Sequence, residues 1–134
     1  MLNDLARLAE RSVMDMHDTI QQIYSLPTED AQARVLDLMS QFQPDFRMLT
    51  PQGTWLSYGQ VKRLFKSQAG IQPALRIEVS QCETLAIEGS LVAVRYRKTH
   101  SVPGETFQRV SVAMIDVSTR PARWRYLQER SLSA

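Results

Sequence analysis

The stretch FQPDFRMLTPQG, residues 42–53, predicts the end of a helix, a short strand and a tight turn. Phe42 completes an apolar stripe that begins upstream, and Pro44 is expected to stop the helix because proline lacks the N–H that the next helical turn needs. Residues 46–50 then predict a strand, and the Pro-Gln-Gly sequence at 51–53 predicts a turn. The chain is therefore expected to change from helix to strand inside this stretch.

Two helices are predicted before it. Residues 3–25 repeat apolar side chains at intervals of three and four, as one face of an amphipathic helix does. After Pro27, Thr28 is the expected N-cap of a second helix, and Glu29 and Asp30 in the first turn favour the helix dipole. The stripe of the first helix comprises Leu5, Leu8, Ser12, Met16, Ile20 and Ile23, and that of the second comprises Ala31, Val35, Leu38, Met39 and Phe42.

A third helix and four long strands are predicted after it. Ser57 and Gln60 have the spacing of a capping box, and Gly70 is a natural helix end. From residue 75 the apolar pattern alternates with a period of two, which is typical of strands. The predicted strands cover residues 75–87, 90–100, 106–117 and 123–132. Helices gathered on one face of an antiparallel meander make an α+β domain, and residues 1–134 form a single domain.

Composition narrows the class of protein. The chain has 134 residues, of which 43% are hydrophobic and 22% charged, with a net charge of +2. No apolar run approaches the roughly 20 residues of a membrane helix, and the N-terminus does not resemble a signal peptide, so we expect a cytoplasmic protein. The only cysteine, Cys82, is interpreted as a small strand residue. Metal-ligand spacings and cofactor motifs are absent from the sequence, so neither a metal nor a cofactor is expected.

Three segments and their order resemble the nuclear transport factor 2-like superfamily, which includes ketosteroid isomerases and SnoaL-like polyketide cyclases. The segments are residues 42–53, WLSYGQVKRLF at 55–65 and RWRYLQERSL at 123–132. The resemblance implies a cone-shaped, cystatin-like fold in which about three helices pack on a curved antiparallel sheet and close a pocket. The chain is most similar to a bacterial group with a histidine in the first helix, a PDF…TP.G sequence and a final strand that ends W…L.E. The matching residues here are His17, Pro44, Asp45, Phe46, Thr50, Pro51, Gly53, Trp124, Leu127 and Glu129.

The resemblance does not carry isomerase chemistry to this chain. In ketosteroid isomerases a catalytic aspartate precedes the proline of the corresponding turn, and here that position is Thr50. A threonine hydroxyl has no useful basicity near neutral pH, so the proton-abstracting base is missing. The sequence is compatible both with an enzyme and with a binding protein.

Four polar residues are candidates for a site inside the sheet. His17 lies at the edge of the first apolar stripe and is either an acid/base group or a packed helix residue; His100 is a weaker candidate. Glu129 is a second catalytic candidate, as the partner that orients His17. Arg109 on the neighbouring strand either binds a carboxylate ligand or forms a structural pair with Glu129.

Three aromatic residues, Trp55, Tyr58 and Tyr96, are ligand-binding candidates or ordinary core residues. Strand alternation allows only one of Arg95 and Tyr96 to face the pocket, and a one-residue slip would exchange Arg109 for Val110. The strands are apolar on both faces, which favours a homodimer through the sheet. Val92, Val94, Val110, Val112 and Met114 are the residues expected on that dimer face.

The leading hypothesis is a domain that binds a small molecule in an apolar pocket, the ligand being apolar or aromatic and bearing a carboxylate. It requires an enclosed cavity large enough for a ligand. One alternative is a lyase, isomerase or cyclase that uses His17; another is a protein-interaction module or accessory subunit. Binding to nucleic acid is not expected, because the basic residues are spread along the strands and the net charge is modest.

Overall fold

The computed structural model describes residues 2–132, and their side chains from Asp4 onward. This part of the chain forms three helices and six strands in the order helix, helix, strand, strand, helix and four strands. The helices are α1 (Leu2–Ser25), α2 (Thr28–Met39) and α3 (Tyr58–Gln68). The strands are β1 (Phe42–Leu49), β2 (Trp55–Ser57), β3 (Arg76–Glu88), β4 (Leu91–Val102), β5 (Glu105–Asp116) and β6 (Arg123–Ser131).

The strands form one curved sheet in the order β2-β1-β6-β5-β4-β3. Strands β3 to β6 make the predicted antiparallel meander, and β1 joins it as the parallel neighbour of β6. The helices lie against the inner face, where α1 contacts α2, β3 and β4 and α3 contacts β1. The predicted α+β class is therefore confirmed. In residues 2–132 no helix combines the length and apolar composition needed to cross a membrane.

The apolar stripe predicted for α1 forms one side of the core. Met16, Ile20 and Ile23 are buried, and Leu5 and Leu8 pack against the core from its edge. Ser12 on the same stripe is also buried, and it accepts a hydrogen bond of 2.8 Å from the indole N–H of Trp124. A polar residue is tolerated here because the two buried groups satisfy each other.

The turn at residues 50–53 has the predicted form. Gly53 adopts a φ of +83°, the left-handed region that favours glycine. Its N–H donates to the carbonyl oxygen of Thr50 at 2.9 Å, and the N–H of Thr50 donates to the carbonyl oxygen of Thr54 at 2.9 Å. The predicted capping box of α3 is present as well, with both Ser57–Gln60 hydrogen bonds formed.

The sequence-based boundaries around α2 and β1 were wrong. Helix α2 begins at Thr28 itself, so Pro27 rather than Thr28 occupies the N-cap position, and it forms no side-chain capping hydrogen bond. Phe42 and Pro44 belong to β1 rather than to the end of the helix. Pro44 is accommodated because the β1–β6 register shifts between Phe42 and Arg47, where a missing N–H breaks no regular ladder. The short strand β2 was not predicted; it pairs with β1 across the turn.

Strand alternation decides which residues face the helices. In β4 the inner residues include Val92, Val94 and Tyr96, each at most 1% exposed. The expectation that Val92 and Val94 share a dimer face with Val110, Val112 and Met114 was therefore wrong. The last three lie on the outer face of β5, because the alternate residues Ser111, Ala113 and Ile115 are buried in the core.

Candidate functional site

A small cavity lies between the helices and the inner face of the sheet, and we call it the inner cavity. It has a volume of about 80 Å³ and is lined by residues of α1, α3, β1, β4, β5 and β6. The sheet supplies most of its polar residues, which are Lys98, His100, Arg109 and Glu129, and α1 adds His17. The helices and β1 supply apolar walls, among them Met16, Ile20, Phe42, Phe46, Met48 and Phe65. Charged groups thus converge in an otherwise apolar space.

Glu129 is the centre of the charged cluster. Its side chain is 1% exposed and lies 2.5 Å from the ammonium of Lys98, which is itself 6% exposed. The guanidinium of Arg109 lies 3.3 Å from the other carboxylate oxygen, and Ser111 donates a hydrogen bond of 3.0 Å. Burying a carboxylate is costly unless it is paired and hydrogen-bonded, and here three partners meet that requirement.

The cluster carries one positive charge in excess. Burial alone would raise the pKa of Glu129, but the charge and hydrogen bond of Lys98 and the charge of Arg109 outweigh it and lower the pKa from 4.5 to about 2. The carboxylate is therefore ionised at neutral pH. Two cations around one carboxylate leave a net charge of +1, provided that the neighbouring histidines are neutral.

His17 is neutral and has both ring nitrogens engaged. Its Nδ1 donates to the carbonyl oxygen of Val13 at 2.8 Å, so that Nε2 is the acceptor of the Tyr96 hydroxyl at 3.4 Å. Burial and then the charge of Lys98 lower the pKa of His17 from 6.5 to about 3. The imidazole also meets the Tyr96 ring edge to face, with 5.1 Å between the centroids.

His100 and Arg109 carry the unpartnered nitrogens of the site. His100 stacks on Phe107 at a centroid distance of 4.8 Å, and its Nε2 is buried without a hydrogen-bond partner. Burial, followed by the charges of Lys98 and Arg109, lowers the pKa of His100 to about 4. The Nε of Arg109 is also buried and unbonded, although its guanidinium reaches Glu129.

The structure brings some predicted site residues together and separates others. His17, Arg109 and Glu129 all line the inner cavity, and Arg109 rather than Val110 faces inward. Tyr96 faces inward behind His17, while Arg95 faces outward and pairs with Glu83. Their roles in catalysis or ligand binding stay predictions.

Two predicted aromatic residues lie elsewhere. Trp55 is 46% exposed and packs under the guanidinium of Arg47, at 4.5 Å from the ring centroid. Tyr58 donates a hydrogen bond of 3.3 Å to the carbonyl oxygen of Met39. Both stand outside the cavity lining, because Trp55 lies in β2 near the sheet edge and Tyr58 begins α3. The sequence did not reveal that Trp55 and Tyr58 lie away from the cavity, since β2, which precedes Tyr58 and contains Trp55, was not predicted.

Sequence reasoning missed Lys98, which lines the inner cavity and pairs with Glu129, and Ser111, which hydrogen-bonds the same carboxylate. A lysine in a strand ordinarily faces solvent. Alternation puts Lys98 on the same face as Tyr96, two residues earlier, but the sequence did not decide which face of β4 points inward. Thr50, at the position of the isomerase aspartate, accepts a hydrogen bond from the backbone N–H of Thr54 at 3.1 Å and stands outside the cavity lining.

Comparison with solved structures identifies the architecture. An NTF-2-like protein of unknown function from Pseudomonas aeruginosa is 29% identical, with a TM-score of 0.85 over 94% of this chain and 99% of the other. A ketosteroid isomerase-like protein from Erwinia carotovora atroseptica is 8% identical, with a TM-score of 0.70 over 98% and 99% of the two chains. A protein with a cystatin-like fold from Nostoc punctiforme, also 8% identical, has a TM-score of 0.68 over 93% and 92%. The last two show the fold alone. No family model and no curated protein match the sequence.

Proposed function

The chain belongs to the nuclear transport factor 2-like superfamily, and we propose that it binds a small carboxylic acid with an apolar or aromatic tail in the inner cavity. The observation that carries this proposal is the pair of unpartnered nitrogens, Arg109 Nε and His100 Nε2, both buried in the lining of an apolar cavity. Buried polar atoms normally have hydrogen-bond partners, so this pair indicates a missing one.

A carboxylate head group would accept hydrogen bonds from both unpartnered nitrogens and would neutralise the excess positive charge of the cluster. The Nε–H of Arg109 is a permanent donor, and neutral His100 is a second donor in the tautomer that carries its proton on Nε2. Two oxygens of one carboxylate can accept both hydrogen bonds. The head would also cancel the excess positive charge that Lys98 and Arg109 leave around Glu129.

The cavity volume limits what lies inside. Ligand pockets usually measure about 300–1,000 Å³, and the inner cavity of about 80 Å³ does not reach that range. The requirement for a cavity that encloses a whole ligand is therefore not met. We assign the head group to the cavity and direct the tail towards Leu64, a lining residue that is 40% exposed.

Catalysis by His17 is a weaker proposal than binding. His17 lines the cavity, as a lyase, isomerase or cyclase would require. A histidine with a pKa of about 3 is a poor base near neutral pH, however, and both of its nitrogens are already engaged. Glu129 is held by Lys98, Arg109 and Ser111 instead of orienting His17.

A homodimer through the outer face of the sheet accompanies the binding proposal. Three apolar residues support it. Met114 on β5 pairs with Tyr126 on β6, and Val112 lies two residues before Met114 on the same face. Met114 is 37% exposed. Such a face on a protein of this size is a candidate interface, in line with the interaction-module alternative.

Isothermal titration with acetate, butyrate, hexanoate and octanoate tests the binding proposal. Each buried methylene contributes about 0.8 kcal/mol, so we expect the affinity to rise about fourfold per methylene until the tail extends beyond the cavity lining. Arg109→Gln should weaken octanoate binding tenfold or more, because a charge-assisted hydrogen bond is lost. The protein should still fold, since Lys98 continues to pair with Glu129.

The matched control is Arg63→Gln, an exposed position on α3. An affinity that does not depend on chain length, or an Arg109→Gln variant that binds octanoate as the wild type does, would contradict the proposal.

A further inference from the structure

A second and larger recess lies on the outer face of the sheet, on the side away from the helices, and we call it the outer groove. It is an open groove of about 520 Å³, within the usual range for ligand sites. Its floor is a row of three residues across neighbouring strands, since Arg97 pairs with Val110 and Val110 pairs with Arg130. Arg95, two residues from Arg97 on β4, forms part of its wall.

The groove holds two arginines without a counter-ion. Arg95 is paired with Glu83. Arg97 and Arg130 form no ion pair within residues 2–132, and the Nε of Arg97 is buried without a hydrogen-bond partner. Three arginines and one glutamate give the groove a net charge of +2. The buried unbonded nitrogen of Arg97 indicates a missing hydrogen-bond acceptor, and the positive charge of the groove would attract an anionic one.

The edge of the groove is shaped by a bulge in β3. The β3–β4 register shifts between Ser80 and Glu83, and Gln81 there adopts a φ of +52°, which few residues other than glycine tolerate. Bulges of this kind bend a strand and are frequent beside binding sites. The bulge brings Gln81 to the groove next to Arg97, where its amide adds a further hydrogen-bonding group.

We infer that the outer groove binds a small phosphate monoester. Arg97 and Arg130 lie on strands separated by β5, so their backbones are about 10 Å apart and their side chains must approach an anion from two sides. A phosphate monoester carries nearly two negative charges near neutral pH and presents three terminal oxygens, which matches two forked guanidiniums better than one carboxylate does. Val110 and Leu132 give its organic part an apolar surface.

The outer groove is separate from the inner cavity. Val110 faces the groove, whereas Arg109 and Ser111 on either side of it face inward. Along β5, Val110 in the groove and Met114 on the proposed dimer face are four residues apart, so the two surfaces lie towards different ends of the outer face. Phosphate binding therefore neither depends on nor follows from carboxylate binding in the inner cavity.

The test is an NMR titration of the whole protein with phenyl phosphate, following backbone amides and arginine Nε–H signals. We expect saturable shifts at Gln81, Arg97 and Val110, with inorganic phosphate causing smaller shifts at the same signals. Arg97→Gln and Arg130→Gln should each weaken phenyl phosphate binding at least tenfold. Arg63→Gln removes the same charge elsewhere and should leave the affinity unchanged.

Three outcomes would overturn the inference. The first is the absence of saturable shifts at the groove. The second is an equal loss of affinity in Arg63→Gln, which would mean non-specific charge attraction. The third is a single-stranded oligonucleotide that binds the groove more tightly than phenyl phosphate with a steep salt dependence, which would assign the surface to nucleic acid. Because both groove arginines lie on the outer face, a thermal melt of each variant should show wild-type folding.

Discussion

Replacing Glu129 with glutamine should destabilise the protein strongly, because it removes the carboxylate that pairs with the buried ammonium of Lys98. The two side chains are 1% and 6% exposed and lie 2.5 Å apart. Breaking a buried pair by removing one partner costs about 3–5 kcal/mol. The pKa of Glu129 is lowered from 4.5 to about 2 because its partners outweigh the burial that would raise it, so the ionised pair favours the folded state. We therefore expect Glu129→Gln to lose about 3 kcal/mol of unfolding free energy.

The assay is urea denaturation at pH 7, with two comparisons. The double variant Lys98→Met with Glu129→Leu should recover part of the loss, because it removes both members of the most buried pair and leaves the partly exposed guanidinium of Arg109, rather than the buried ammonium of Lys98, without a carboxylate. Glu83→Gln removes the same charge from the exposed pair with Arg95 and should cost less than about 1 kcal/mol. A loss below about 1 kcal/mol in Glu129→Gln, or a double variant as unstable as the sum of its single changes, would refute the reasoning.

Three further predictions concern acid, the core and the outer face. His17 and His100 have pKa values of about 3 and 4 in the fold, against 6.5 when unfolded. Their contribution to the free energy of unfolding is therefore fully present above pH 6.5 and falls as the pH falls, by about 2 kcal/mol for each histidine between pH 7 and pH 5. His17→Gln should roughly halve that loss in urea titrations, and an unchanged pH dependence would contradict the assignment. Ser12→Ala leaves the buried indole N–H of Trp124 unpaired and should cost about 1–3 kcal/mol, whereas a thermal melt equal to wild type would contradict that bond. Met114→Glu on the outer face should shift the protein from dimer to monomer in sedimentation velocity; a wild-type monomer would dismiss the proposed interface.

The elements that could be predicted from sequence are those with a long, regular apolar period. Helix α1 and the meander β3–β6 repeat their patterns over many residues, so their boundaries agree with the structure within about two residues. Pro44 was predicted to end a helix because local sequence alone suggests this. Its actual position depends on tertiary pairing, since it lies in β1 where the register with β6 shifts and no ladder hydrogen bond needs its N–H. Strand β2 has three residues, too few for a period to be visible.

The candidate site was partly predictable because its strands have a regular apolar period. The predicted meander placed Arg109 and Glu129 on adjacent strands, alternation put Glu129 on the inward face with Leu127, and the structure joins the two side chains at 3.3 Å. The face of β4 could not be read from composition, because apolar residues occupy both sides of residues 91–96; this hid Lys98 and led to Val92 and Val94 being assigned to the wrong face. Whether a cavity exists, and how large it is, depends on how the helices close over the sheet.

Carboxylate binding in the inner cavity is tested most directly by NMR. The measurement is the chemical shift of the His100 ring nitrogens in a long-range ¹H–¹⁵N spectrum. Octanoate should move the Nε2 signal of His100 saturably, because its carboxylate becomes the partner that this nitrogen lacks. Octanamide has the same tail without the charge and should leave the signal nearly unchanged at equal concentration. Octanoate that binds without moving the His100 signal, or octanamide that moves it equally, would contradict a carboxylate site in the inner cavity.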